Sequence, residues 1–405
     1  MCPARPCVFK IGSVNLSNKK IIAVTVAVTF SLTCLLNYFY PPHLLLTKNK
    51  TSEVFNIIEK RYNGKYNKET LMDYASYAMV AALDDPYSSY LDHEDYKTIM
   101  EDLDAVYEGI GIEIYLDTTD NLMTVLAPIE GGPCEIAGIL PGDKIIKVDD
   151  MEVTPDNYNS IVNYMRGQSE SGKKVKEITL SVKRGNDMLS FKVKRQVIEL
   201  QTVNHIDYDD IAYIRISNFD TPTATDFANV LSSLDKEKTR GIVIDLRDNP
   251  GGLLSCAVTI ADLLLPKADI VSVKYKTGKK QNYTSDKNCI DIPFTVLTNS
   301  SSASASEILA GAIKDNKAGT VIGTKSFGKG CVQELIPLSD EDTAVKLTTA
   351  LYYTPSGKCI HDVGIEPDIT VELSEDAKTK STKMLTLSED AQLQKAMAVL
   401  REQFK

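Results

Sequence analysis

Histidine is scarce in this chain. Four occur in 405 residues, His43, His93, His205 and His361. They are scattered, and none stands in an H-E-x-x-H or other metal-ligand spacing. No two cysteines form a C-x-x-C pair, so neither a zinc site nor a redox dithiol is indicated. Positive charge is in deficit: 45 Lys and Arg against 55 Asp and Glu give a formal net charge of -10. Phosphate backbones need a basic surface, so no nucleic-acid partner is expected. There are no internal repeats and no low-complexity tract. Tryptophan is absent, which constrains nothing.

What is present is an ordinary globular composition, 43% hydrophobic and 25% charged, in a chain long enough for two or three domains. The exception is the N-terminus. Lys10, Lys19 and Lys20 precede the uncharged run "IIAVTVAVTFSLTCLLNYFY", Ile21 to Tyr40. About 20 apolar residues span a bilayer as a helix, and basic flanks stay in the cytoplasm. Pro41-Pro42 ends the run. Without a small-x-small cleavage site before Tyr38, an uncleaved anchor is favoured over a signal peptide. The expectation is therefore a cytoplasmic segment 1–20, a transmembrane anchor 21–40 in the cell membrane, and an extracytoplasmic remainder. Of eight cysteines, Cys2, Cys7 and Cys34 lie in or before the anchor. Five remain beyond it, so at least one is unpaired within the chain, and most are read as small buried apolar residues.

Residues 51–104 carry helical periodicity in "EVFNIIEKRY" and "LMDYASYAMVAALDD", with a turn at Pro86. From 105 to 195 the period falls to two. "GIGIEIYLD", "NLMTVLAPI", "KEITLSVKRG" and "LSFKVKRQVI" read as strands, and "YNSIVNYMRG" as a short amphipathic helix. From 196 to 373 strands and helices alternate: "IAYIRIS", "TATDFANVLSSL", "GIVIDLR", "GGLLSCAVTIADLLL", "PFTVLTN", "SASEILAGAIKD". That order predicts β-α-β crossovers and a largely parallel sheet. Residues 374–405 read as a polar linker and a last helix.

Open α/β sheets bind ligands beyond the carboxyl ends of their strands. Two loops lie there. In "SSSASASEI", Ser304 sits at a strand-to-helix turn, where a nucleophile would gain from converging N–H groups. Ser304-Ala305-Ser306-Glu307 also fits a capping box, which needs no chemistry at all. In "DNPGG", Gly251 and Gly252 can leave backbone amides free to donate, or simply make a tight turn. A third segment, "SFGKGCVQE", holds Lys329 between Gly328 and Gly330. A strand resuming there would put Lys329, Cys331 and Gln333 on one face; a surface turn with a solvated lysine is the alternative. A buried lysine loses its charge more readily and can act as a base. None of these loops contains a histidine.

"DLRDNPGG", "SSASASEILAGAIKD", "GTKSFGKGCVQELIPL" and "LYYTPSGKCIHDVGIEPDI" closely resemble the carboxyl-terminal processing peptidases, the tail-specific proteases. "AALDDPYSSYL" is similar to their helical N-terminal part and "GGPCEIAGILPGDKIIKVDD" to their PDZ domain. The resemblance runs from about Thr51 to the C-terminus in the family's order. It implies a multidomain α/β protein: a crotonase-like peptidase core, a β-rich PDZ domain inserted before it, and helical N- and C-terminal segments. It implies a serine endopeptidase that cleaves exported proteins near their C-termini, with no cofactor and no metal. Ser304 corresponds to the nucleophile, Lys329 to the base and Gln333 to the residue that positions the lysine. The backbone N–H groups of Ala305 and of Gly251 or Gly252 correspond to the oxyanion donors. Ser326 and Cys331 depart from the more usual Thr and Ser or Thr.

In the PDZ-like stretch, Gly109, Ile110, Gly111 and Ile112 form the loop that would take a substrate's free C-terminal carboxylate through backbone amides. Arg166, after "YNSIVNYM", is a candidate regulatory residue that would pair with an acidic group in one domain arrangement; a solvated helix-end charge is the other reading. The expected partners are protein or peptide substrates with free C-termini and the membrane, with self-association left open. A membrane-anchored, non-catalytic PDZ scaffold and a ligand carrier on the same core are the rival classes.

Overall fold

The computed structural model describes residues 50–117, 119–129, 131–167, 176–339 and 342–404. The expected anchor lies outside them. Among the described residues no helix is long and apolar enough to cross a membrane. The chain divides into two compact units between Met79 and Val80. In the first, α1 (Lys50–Arg61) and α2 (Lys68–Ala81), whose last residues reach the second unit, bury no residue. Val54, Ile57, Tyr74 and Tyr77 stand exposed on them.

The second unit begins with a departure from the helical expectation. Past the Pro86 turn, β1 (Ser89–Leu91) precedes α3 (His93–Leu103). Ser-Tyr-Leu becomes a strand because an edge is available far along the chain: Ser89, Tyr90 and Leu91 pair with Lys346, Val345 and Ala344. Local periodicity carries no trace of that partner.

A β-rich domain follows. Its elements are β2 (Val106–Gly109), β3 (Ile112–Asp117), β4 (Leu122–Pro128), α4 (Pro133–Ala137), β5 (Lys144–Val148), β6 (Met151–Glu152), α5 (Tyr158–Met165), β7 (Glu177–Arg184), β8 (Asp187–Lys194) and β9 (Gln196–Glu199). One sheet runs β3-β4-β5-β7-β8 with β6 on β5, and β2 pairs with β9 at the domain's base. The β7–β8 hairpin turns at Arg184↔Asp187, through the Gly-Asn pair that its sequence predicts. Alternate residues Ile178, Leu180 and Val182 enter the core with Met123, Val125, Ile145 and Ile161.

The rest is the α/β layer structure: β10 (Val203–Tyr208), β11 (Ile211–Ile216), α6 (Thr223–Ser233), β12 (Gly241–Asp245), α7 (Leu254–Leu264), β13 (Asp269–Tyr275), β14 (Lys280–Thr284), β15 (Phe294–Thr298), α8 (Ala305–Asn316), β16 (Thr320–Gly323), β17 (Cys331–Pro337), β18 (Ala344–Tyr353), β19 (Ile369–Thr370), α9 (Glu375–Lys378) and α10 (Ala391–Gln403). The main sheet is ordered β10-β11-β12-β15-β16-β19. Every pair from β11 onward is parallel. β12 and β15 are buried at every residue, as strands covered on both faces must be. One face packs on α6, α7 and α8 around Phe219, Phe227, Ile260 and Leu309. The other is sealed by α10 through Leu393, Ala396, Met397 and Leu400. A second sheet, β1-β18-β13-β14 with β17 on β18, stands beside it. The β13–β14 hairpin does not follow from the sequence pattern, because β14 reads Lys-Gln-Asn-Tyr-Thr, with almost no apolar residue to mark a strand, at a mostly exposed edge.

Candidate active site

The carboxyl ends of β12 and β15 bring the two expected loops together. After β12, Asn249 is fully buried; its side chain donates to the Ile216 carbonyl (2.8 Å) and accepts from the Gly251 N–H (2.8 Å). The Asn249 carbonyl in turn accepts from the Ala303 N–H (3.0 Å) and the Ser306 hydroxyl (3.0 Å). The two loops are thus stitched directly. Gly251 lies so close to the nucleophile turn that a Cβ there would stand 2.8 Å from Ser304 Cβ and 3.0 Å from Ala305 N. With φ at 107°, it also holds a conformation that suits glycine alone. Since the Gly251 N–H is engaged by Asn249, the amides that make no hydrogen bond among the described residues are those of Gly252 and Ala305.

Ser304 is half-buried at the turn into α8, with φ 55° and ψ -112°. A non-glycine residue held there costs of order 1–3 kcal/mol, which the surroundings must offset. Glu307 is the group that fixes it. Its carboxylate, with no exposed surface, accepts from Ser304 N–H (2.9 Å), Ser326 Oγ (2.6 Å), Gly328 N–H (2.7 Å) and Lys329 N–H (2.8 Å). The capping-box glutamate therefore does more than finish a helix: it ties the serine turn to the lysine loop. Tyr352, buried in β18, repeats the link from the other side. Its hydroxyl donates to the Ser304 carbonyl (3.0 Å) and to that of Lys329.

The glycines around Lys329 have a packing cause. A Cβ at Gly330 would meet His361 N at 2.3 Å, and the Gly328 carbonyl accepts from Asp362 N–H at 2.8 Å. The "KCIHDVG" loop presses against this backbone and leaves no room for side chains. The expected strand begins later than Lys329, at Cys331. Pairing with β18 slips between Val332 and Gln333, so simple alternation from Lys329 does not hold. Gln333 Nε2 donates to Cys331 Sγ (3.1 Å) and Thr348 Oγ1 (3.4 Å) rather than to Lys329.

Lys329 is half-buried, and burial pushes its amine below the ordinary lysine pKa. Among the described residues no hydrogen bond joins that amine to the Ser304 hydroxyl. Nζ lies instead 4.9 Å from the centre of the Tyr87 ring.

On the other side of the same strand ends, Arg247 has no exposed surface. It donates to Asp245, to Asp390 (2.7 and 2.9 Å) and to Gln392 (3.0 Å). This pins the start of α10 to the end of β12. Burial opposes the charged form of Asp245, but the Arg247 guanidinium outweighs it and holds the carboxyl below the usual range.

In the β-rich domain, Ile110 and Ile112 line a cavity of about 460 Å³ with Tyr107, Tyr158, Val162 and Arg166, among others. Gly109 and Gly111, which flank Ile110 in sequence, are buried, Gly111 with φ 67°. Arg166 caps α5, exposed, with its guanidinium 5.6 Å over the Tyr107 ring. Among the described residues it forms no ion pair with an acid, nor is it simply solvated. The five described cysteines, Cys134, Cys256, Cys289, Cys331 and Cys359, are all free, and three are buried.

Sequence reasoning singled out Ser304, Lys329 and Gln333. It gave Glu307 only a capping part and Tyr87, Tyr352 and Arg247 none. Glu307 had a local signal, its place three residues after a serine. The other three act through partners remote in sequence.

The chain can now be set beside known proteins. The peptidase family S41 model matches residues 210–371, the PDZ domain model residues 109–194, and a model of the N-terminal domain of the activating protease CtpB residues 43–95. A carboxy-terminal-processing protease of Bartonella bacilliformis is 40% identical over 332 residues, 79% of this chain and 74% of the relative. The carboxy-terminal processing protease CtpA of Bacillus subtilis is 37% identical over 334 residues, 82% and 70%. Among solved structures, a photosystem II D1 C-terminal processing protease aligns with a TM-score of 0.50 and 29% identity, over 78% of this chain and 86% of that one. The chain belongs to the carboxy-terminal processing proteases of the S41 serine peptidase family, and it is an enzyme.

Proposed function

We propose that the protein is a serine endopeptidase that uses Ser304 and Lys329 as a dyad and cuts exported proteins near their C-termini. The observation that carries this reading is the Glu307 carboxylate, which accepts from the backbone N–H of both residues and so keeps the serine and lysine loops in register. Ser304 Oγ attacks the scissile carbonyl while neutral Lys329 takes its proton. Lys329 then gives the proton to the leaving amine, and water releases the acyl group. Gly252 and Ala305 are the better-supported oxyanion donors, because Gly251 N–H is already bound. Gln333 supports Lys329 once the amine has moved to Ser304. The 109–112 loop takes the substrate's terminal carboxylate, and Arg166, over Tyr107 at the groove, reports occupancy. The core is read as crotonase-like, the run 21–40 as an anchor that keeps residues beyond it outside the cytoplasm, and the apolar faces of α1 and α2 as a support for self-association.

The test is Ser304→Ala in the full chain, incubated with peptides of defined free C-termini and read by mass spectrometry. Loss of all cleavage with an unchanged melting curve is expected. Retained turnover would sink the dyad.

A further inference from the structure

The turn ahead of β1 belongs to no motif of the peptidase core, yet it supplies the nearest aromatic neighbour of the Lys329 amine. Tyr87 follows Pro86 in "DDPYSSYL". The Asp85 carboxylate accepts from the Tyr87 N–H at 3.1 Å and from the Ser88 hydroxyl. That hydroxyl accepts in turn from the Thr348 N–H of β18 at 3.0 Å. Pairing of β1 with β18 continues the attachment. The turn is thus fastened at several points to the strand that also receives Gln333. The result is a half-buried ring with its centre 4.9 Å from Lys329 Nζ and 6.3 Å from the His361 ring. Burial pushes the Tyr87 phenol above its ordinary pKa, so the ring stays neutral and its attraction for a cation is that of an aromatic face.

We propose that Tyr87 is a positioning residue that parks the protonated Lys329 amine away from Ser304 and lets the neutral amine go. This rests on the dyad reading above. An aromatic face attracts ammonium and has little hold on a free amine. Loss of the proton to solvent therefore both creates the base and releases it to swing to the serine. Other groups face the amine as well: Asp85 on the same turn, Cys331 on β17 and Glu307 on α8 favour its charged form, and Lys346 on β18 opposes it. His361 and Asp362 lie near the ring. None of these is altered by changing the electron density of the ring alone.

The test uses the full chain with casein as an unfolded substrate, and follows kcat/KM against pH. Its acid limb reports the free enzyme's base. The variants are Tyr87→Phe, and the same position carrying di- and trifluorinated phenylalanine, which weaken the ring's attraction at nearly constant size. Tyr87→Phe should keep the limb near its wild-type position. Fluorination should move it stepwise to lower pH, by about half to one unit in all. Tyr87→Leu should move it the same way if it folds, and a melting curve decides that. An acid limb that stays put through the fluorinated series, while Lys329→Ala is inactive, would overturn the role of Tyr87 alone. Full activity in Lys329→Ala would instead overturn the dyad beneath it.

Discussion

Two cations, one fully buried and one half-buried, flank the carboxyl ends of the central strands, and they are treated in opposite ways. Each nitrogen of the Arg247 guanidinium meets an acceptor: two carboxylates and an amide oxygen, all in hydrogen-bond range. Among the described residues the Lys329 amine forms no ion pair; it meets an aromatic face, with Asp85 and Glu307 acting on it from further off. Burial penalises both charges. In the first case paired carboxylates offset the penalty and the residue becomes a fixed structural joint. In the second the penalty is left standing, so the proton is held loosely. On the proposed dyad, the difference separates a cation that never changes from one that changes at every turnover.

Exchanging the two side chains breaks the comparison most severely. Lys329→Arg keeps the charge but cannot deprotonate. It should lose roughly 10³-fold or more in kcat/KM, about as much as Lys329→Ala, since members of a catalytic unit do not contribute additively. Its melting temperature should change little. Substantial activity in the arginine variant would refute a neutral base. Arg247→Lys should do the reverse. The planar fork that meets Asp245 and Asp390 cannot be copied by an ammonium. Urea unfolding should show a loss of about 2–4 kcal/mol, approaching the 3–5 kcal/mol of breaking a buried pair outright.

Asp220 sharpens the contrast from the acidic side. It is buried, and its Oδ2 has no hydrogen-bond partner among the described residues. Burial, with the nearby Asp102 carboxylate adding to it, pushes its pKa up to about 6. A raised acid favours the protonated fold, so stability is greatest below the unfolded value near 4 and falls as pH rises through 6. Asp220→Asn should match wild type at pH 4 and exceed it by roughly 1–3 kcal/mol at pH 8. Equal unfolding curves at both pH values would contradict the assignment. The smallest expected effect is that of Gln333→Ala, which touches Cys331 and Thr348 but not the amine in this state. A several-fold fall in kcat is expected, and a loss as large as that of Lys329→Ala would mean that Gln333 belongs to the dyad itself.

Much of this arrangement was legible in the sequence, and the limits have physical causes. Buried parallel strands announce themselves as apolar runs, so "GIVID" and "FTVLT" and the loops after them could be placed, and with them Ser304 and Gly251. Lys329 stood out because two glycines flanked it, although the cause, the pressing His361 loop, is distant in sequence. What could not be read was whatever depends on long-range pairing. β1 exists only because β18 offers an edge, so Tyr87 looked like part of a helical turn. The slip between β17 and β18 moved Gln333 out of simple alternation with Lys329. Tyr352 and Arg247 lay inside recognisable motifs, but their bonds to Lys329 and Asp390 cross long stretches of chain.

Lys329 is a half-buried amine whose proton is held loosely, because no carboxylate among the described residues pairs with it. The most direct measurement is the titration of that single amine, by NMR of isotope-labelled lysine side chains, assigned by comparison with Lys329→Arg. The expected midpoint lies below the ordinary lysine value of 10.5 and coincides with the acid limb of kcat/KM. A midpoint at or above 10.5 would contradict it.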